Sequence, residues 1–400
     1  LAWKTKNFKI SFLQIHFMRA ARTDKGVSAV GQVVSLMMVV NTPGIIDRIN
    51  AELPPAIRAY GFRRTVKGFD ARKACDKRRY EYILPVWMFD PKMEGIYRPK
   101  LKKKTQEGEG AKEGEEEDEI EEIEAAAAVV KEEVNDEAPT ETMPTGQPYG
   151  SDSDFVFDDA CIQRLNDILK QYQGTCNFHN FTVRTPATAP QAKRFILSFT
   201  CDGIFEINGT KWVRTVVIGQ SFMLHQIRKM IGMALAEFRG VAPPGSLKYA
   251  LGTFHSANTP MAPDLGLFLD ECYYDAYNDR WGHQNEDLRL SDWQADVEEF
   301  KKERLYPALA KRDSEENVNA IWLFGLKDSN YKFKEWGTRG DYKSKTAAVA
   351  SVAGEGNNKR PAAGDGGGGR GNGGRQAEVK KAKVDSRVAG NMSLNAEYSE

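Results

Sequence analysis

The sequence predicts an α+β fold, and three observations predict it. Runs of strand character recur, as in "VGQVVSLMMVV" (30–40) and "RRYEYILP" (78–85). Asn208-Gly209 separates two such runs, the strongest short-range signal for a β-hairpin. Residues 221–239, "SFMLHQIRKMIGMALAEFR", carry the period of an amphipathic helix.

Taken in order, residues 8–40 read as apolar strands flanking the turn "RTDKGVSA" (22–29). The run 30–40 is nearly continuous in apolar side chains, which predicts burial on both sides. Thr42-Pro43 supplies a helix cap and a first-turn proline. Ile45, Ile46, Ile49 and Leu53 follow at helical spacing, and Pro54-Pro55 ends the run. "FDARKACDKRRYEYILP" (69–85) is a basic loop leading into a strand. Its alternation sets Tyr80, Tyr82 and Leu84 on one face and Arg79, Glu81 and Ile83 on the other. From Lys102 to Asp154 the composition changes, and "EGEEEDEIEEIE" cannot bury enough apolar surface to offset its ordering entropy. Order returns at Asp158, where Ile162, Leu165, Ile168, Leu169 and Tyr172 form a helical stripe closed by Gly174. "RFILSFTCDG" is a strand that leads into the hairpin. On helix 221–239, Met223, Leu224, Ile227, Met230, Ile231, Ala234, Leu235 and Phe238 share a face. The opposite stripe holds Ser221, His225, Arg228, Lys229, Gly232, Ala236 and Arg239: cationic, with small residues that let something approach the backbone. Ser291 and Gln294 read as a capping box for a C-terminal helix over "SDWQADVEEFKKERLYP" (291–307). Beyond Asp341 the chain is Gly-rich, basic and of low complexity.

With 400 residues and 41% hydrophobic composition, the chain can bury one large core or two smaller ones. Its zero formal charge conceals an asymmetry. Residues 105–154 hold 18 acidic and 2 basic residues, a local charge of −16, so the remainder carries +16. A body that basic favours a polyanionic partner, with scattered solubilising lysine as the alternative. Five well-separated cysteines without a CxxC point to a reducing compartment. The five histidines form no ligand cluster, so no metal is expected, and no apolar run would span a bilayer. Lys359-Arg360 and "KKAK" (380–383) resemble a split nuclear-localisation signal, or else a solvated basic tail, so a nuclear location is expected. The sequence opens on leucine; a true start is expected upstream, and a leader there, including a mitochondrial one, would not be visible.

The chain lacks a GxSxG elbow, a phosphate-binding GxxxxGK[ST] loop and a paired-carboxylate motif. Asp24 on its own reads as a turn residue before Gly26. The ordered combination says more. "ARTDKGVSAVGQVVS" (21–35) resembles the signature turn of tRNA pseudouridine synthases of the TruA type, in particular their eukaryotic tRNA pseudouridine synthase 1 branch. "GFDARKACDKRRYEY" (68–82), "GTCNFHNFT" (174–182), "GQSFMLHQIRKMIGMALA" (219–236) and "PMAPDLGLFL" (260–269) are similar to that family in the same order. The family's usual opening strand has no counterpart before residue 13, and Cys176 stands where the family commonly has His.

The resemblance implies two similar lobes whose mainly antiparallel sheets meet at a basic catalytic cleft. The expected organisation is an N-terminal lobe (1–101), an acidic insert (102–154), a C-terminal lobe (155–283), a helical extension (284–340) and a tail (341–400). It further implies an RNA-uridine isomerase that needs no cofactor, acts on tRNA and on other small structured RNAs, and works as a monomer off the membrane. Asp24 matches the family's catalytic Asp; attack on the sugar and a glycal route both stay open. Tyr80 matches its active-site tyrosine, and Arg228 the arginine that pairs with the catalytic Asp, since a neighbouring cation favours a carboxylate's charged form. Arg22 is expected to help extrude the target nucleotide, with Lys25 beside it. Arg63, Arg64, Lys67, Arg72, Lys73, Lys77, Arg78 and Arg79 are expected along the substrate strand, with His225 on the cationic helix stripe. His179 is a candidate for the cleft and equally a satisfied core residue. Two other readings remain: a sibling synthase acting at anticodon-stem positions, and a catalytically inactive RNA-binding protein. A glycosidase-like hydrolase lacks its second carboxylate.

Overall fold

A computed structural model describes residues 4–5, 8–9, 15–97, 149–150 and 153–336. The acidic insert, the Gly-rich tail and the split basic signal fall largely or wholly outside the described residues. The strands are β1 (Lys4–Thr5), β2 (Phe8–Lys9), β3 (Met18–Arg19), β4 (Ser28–Ala29), β5 (Val34–Ser35), β6 (Lys77–Pro85), β7 (Gly174–Asn177), β8 (Lys193–Ile207), β9 (Thr210–Gly219) and β10 (Leu267–Tyr273). Six of them form one sheet in the order β4-β10-β6-β9-β8-β7, and β3 pairs β5 in a separate two-stranded ribbon. The pairings within the large sheet are antiparallel except β10 with β4. The α+β class therefore holds. The two lobes expected from the resemblance are joined within it, since β4 and β6 precede the insert while β7 to β10 follow it.

Local chemistry explains the frame. Asn208 and Gly209 both take positive φ, 50° and 79°, as a two-residue hairpin turn requires, and Ile207 pairs Thr210 across it. On β6, Tyr80, Tyr82 and Leu84 enter a core shared with helices α2 (Asp159–Lys170) and α3 (Gln226–Phe238). Ile83 enters a second core on the other face with Trp212, Phe268, Leu305, Tyr306 and Leu309. That core is roofed by α6 (Gln294–Phe300) and α7 (Tyr306–Glu316), following α4 (Ser246–Gly252) and α5 (Asp275–Trp281) in the chain. The sheet is thus a middle layer between two helical ones. No helix of the described residues is long and apolar enough to cross a membrane.

Several expectations are corrected. The run 30–40 is buried only at its start, at Val30 and Gly31: Val34, Leu36, Met37, Met38 and Val39 are exposed, Val39 at 78%. β5 finds only β3 as a partner, so nothing among the described strands covers its apolar side chains. The first helix, α1, spans Ile45–Glu52 and starts after Gly44, not at Thr42. α2 ends at Lys170, and Gly174 instead opens β7. Ser291 forms no capping box; residues 290–293 are a 3-10 turn without a side-chain cap. The C-terminal helix also passes Pro307, because the wider π-turn Lys301–Leu305 precedes it and relieves the need for a regular hydrogen bond there.

Candidate active site

The turn bearing Asp24 hangs between two anchors. Upstream, Ala20 N–H donates to Val33 O at 2.9 Å, and the Gln32 side chain pairs both polar groups of Ala21, at 3.1 and 3.0 Å. Downstream, Val30 N–H donates to Leu269 O at 2.9 Å as β4 joins β10. Between them Val27 N–H closes the turn on Asp24 O at 3.0 Å, and Gly26 has φ +85°. A Cβ at Gly26 would run into the Asp264 carboxylate, so both the conformation and the space require glycine. Asp24 is left half-buried, with exposed Arg22 and Lys25 on either side.

Helix α3 supplies the facing groups. His225 precedes it with φ 60°, a left-handed conformation unusual outside glycine. Its Nε2 lies 3.8 Å from Asp24 Oδ2, with 13% and 22% of the two side chains exposed. Burial pulls the His225 imidazole below its ordinary value; Asp24 opposes that pull, and Arg228 and Lys229 reinforce it. Tyr80 is buried on β6, and the Phe222 ring meets it edge-on with centroids 5.2 Å apart. Burial raises its phenol first, and the charge on Asp24 is among the further causes, which puts the two groups within electrostatic reach.

The expected Asp24–Arg228 ion pair is not formed among the described residues. Arg228 Nε donates to Ala262 O at 2.8 Å, and Ala262 N–H donates back to Arg228 O at 3.0 Å. The reason lies in the small-residue stripe. A Cβ at Gly232 would collide with Pro260 O, so the segment 260–262 of this same chain occupies the close approach and takes Arg228 as its partner. The Arg228 Nη groups make no hydrogen bond to the described residues. The group that does lie beside Asp24 on this helix end is the His225 imidazole.

The other candidates separate cleanly. Arg78 is a brace: its two Nη groups donate to Gln220 O and Ala20 O, each at 2.9 Å, tying β9's exit to the strand before the Asp24 turn. Arg79 points to the opposite face of the sheet, where it pairs with Asp270 and, at 3.3 Å, Glu81. It has no access to a cleft on the Asp24 side, as the alternation along β6 requires. Arg63 is held by Asp292 at 2.6 Å and lies over the Trp293 ring at 4.5 Å, and Lys77 is held by Asp275 at 2.5 Å. Arg64, Lys67, Arg72 and Lys73 stay exposed and form no ion pair among the described residues. His179 is a buried core residue: Nε2 lies 3.3 Å from His255 O and Nδ1 3.2 Å from Asn177 Oδ1, and because burial lowers its pKa the neutral ring donates to only one of them. Tyr82 is core too, its hydroxyl donating to Pro263 O at 2.7 Å.

Sequence reading missed three supports. Phe222 is hidden in an apolar run that reads as helix. Gln32 acts through a backbone-like pairing that has no sequence signature. Lys229 is pushed down to about 8 by burial and donates to Asn180 O and Thr182 O, at 3.4 and 3.1 Å, fastening the 180–182 segment to α3. No group of three or more His, Cys, Asp or Glu among the described residues is arranged to hold a metal ion.

A family profile described as tRNA pseudouridine synthase matches residues 168–275. The chain is 36% identical over 332 residues to tRNA pseudouridine synthase 1 of Yarrowia lipolytica, covering 76% of this chain and 62% of that protein. It is 32% identical over 320 residues to the pseudouridylate synthase 1 homolog of Homo sapiens, covering 80% and 62%. The mouse homolog is 31% identical over 328 residues, covering 82% and 64%. The chain therefore spans about three fifths of the length of the curated relatives it matches. With these similarities and an Asp-bearing turn braced by Arg78 against Tyr80's strand, the chain belongs to the TruA-type tRNA pseudouridine synthase family.

Proposed function

We propose that this chain isomerises uridine to pseudouridine in tRNA, with Asp24 as the reactive carboxylate and no cofactor. The observation that carries the reading is the setting of Asp24. It is one half-buried carboxylate on a rigid glycine turn, within reach of Tyr80 and His225 and flanked by exposed cations. The reaction needs little else. The C1′–N1 bond breaks, a C1′–C5 bond forms, C5 gives up its proton and N1 takes one, so atoms balance without an oxidant or reductant. A carboxylate suits the electron-poor ribose centre, by attack at C1′ or by proton removal on a glycal route. In this reading the Tyr80 ring stacks on the base once the site opens to substrate, and exposed Arg22 fills the gap an extruded nucleotide leaves. The Nη groups of Arg228 and the exposed Arg72 and Lys73 fit phosphate contacts.

The test is direct. Asp24→Ala is expected to abolish pseudouridine formation on a tRNA pool while tRNA affinity stays within a few-fold. If the unmutated chain binds tRNA but forms no pseudouridine, the RNA-binding reading replaces this one. Mapping the modified uridines then separates this branch from the sibling acting at anticodon-stem positions.

A further inference from the structure

We propose that His225 is the positioning residue for Asp24, a neutral imidazole whose Nε2–H is aimed at one carboxylate oxygen. The inference deepens the reading above and rests on it for its kinetic part.

Three observations converge on the ring. Nε2 faces Asp24 Oδ2 at 3.8 Å. Nδ1 is buried with no hydrogen-bond partner. A proton on Nδ1 would therefore be a buried, unsatisfied donor, whereas an empty acceptor is better tolerated. The proton accordingly sits on Nε2, toward the carboxylate. Full protonation would add the Nδ1 donor and set a third positive charge beside Arg228 and Lys229, the other charged groups around the ring besides Asp24. The third observation is the backbone. A non-glycine residue at φ 60° and ψ 4° is strained and persists where its surroundings fix it. Here Lys229 N–H donates to His225 O at 3.0 Å, Gln226 Oε1 accepts from Met223 N–H at 2.9 Å, and Thr182 Oγ1 donates to Leu224 O at 3.0 Å. The strained residue is held from both sides, and its ring is carried to Asp24.

A neutral donor does something a cation would not. It holds one oxygen of the carboxylate and leaves the other for the ribose, without neutralising the charge that reacts. The separation is longer than a hydrogen bond, as catalytic contacts often are before substrate closes them.

The backbone and the ring can be tested apart, because asparagine tolerates the left-handed conformation but is too short to reach Asp24. His225→Asn is expected to fold and to bind tRNA within a few-fold, with KM little changed and kcat lowered about 100-fold. His225→Gln, which restores an N–H at longer reach, is expected to recover part of that loss. If His225→Asn keeps kcat within threefold, the residue serves only the chain's turn into α3 and the proposal fails. A second readout does not depend on activity. Nitrogen NMR of selectively labelled imidazole at neutral pH is expected to report the Nε2–H tautomer for His225, with a shift that moves in Asp24→Asn. An Nδ1–H tautomer or an imidazolium overturns the proposal, even if the chain proves to bind RNA without modifying it.

Discussion

Adjacent residues of β6 meet opposite surroundings. Tyr80 faces Asp24 and Phe222, and its hydroxyl forms no hydrogen bond to the described residues. Glu81, on the other face and 1% exposed, lies 3.1 Å from Lys301 and 3.3 Å from Arg79. Lys301 is 2% exposed and reaches Asp270 at 2.5 Å and Glu298 at 3.3 Å as well. Burial alone would lower the Lys301 ammonium, yet Asp270 and Glu81 outweigh it and raise it; burial and Asp270 raise Glu81. One face keeps a lone acid with no Lys or Arg paired to it among the described residues, and the other sets every charge beside an opposite one. The lesson is that polarity along this strand does not mark function. What marks it is a carboxylate left without a Lys or Arg partner.

The largest expected effect breaks the fully paired face. Lys301→Met removes the buried cation shared by Glu81 and Asp270 and leaves the partly exposed Arg79 to compensate both, so a loss of about 3–5 kcal/mol is expected in chemical denaturation. Asp24→Asn, on the sparse face, is expected to change stability by less than about 1 kcal/mol while removing activity. Equal losses from both would erase the distinction between the faces.

A second contrast sharpens the comparison within one face. Tyr82→Phe strips the donor from buried Pro263 O, an expected loss of about 1–3 kcal/mol with chemistry preserved once folded. Tyr80→Phe breaks no hydrogen bond among the described residues, so thermal melting is expected to move little while turnover falls. The two rings stand two residues apart on the same side of the sheet; only their hydroxyl partners differ.

Much of this was legible in the sequence. The alternation of "RRYEY" separated Tyr80 and Tyr82 from Arg79 and Glu81, because a strand's period of two is local. Asn208-Gly209 fixed its hairpin, since both residues accept positive φ. The contacts of Lys301 were not legible. It meets Glu81 across 220 positions, and a lysine in "EEFKKERLYP" reads as a solvated helix charge until the π-turn carries it inward. The Arg228–Ala262 contact was not legible for a related reason. Small residues on its stripe announced a close approach without saying whose backbone would arrive. The exposed run at Val34–Val39 shows the same limit, because apolar composition says nothing about whether a partner strand exists.

The smallest expected effect concerns the cations that composition alone groups together as phosphate ligands. Arg63 is spent on Asp292 and Trp293, whereas Arg72 and Lys73 are exposed and form no ion pair among the described residues. Arg63→Ala is expected to cost only about 0.2–1 kcal/mol of stability, as partly exposed pairs do, and to leave the salt dependence of tRNA binding unchanged. Replacing Arg72 and Lys73 together by Ala is expected to leave melting unchanged but to flatten that dependence, by roughly one unit of slope for each phosphate no longer neutralised. Binding isotherms at several salt concentrations read both variants. A flattened slope for Arg63→Ala, with none for the double variant, would move the RNA path from the loop before β6 to the edge of the C-terminal helices.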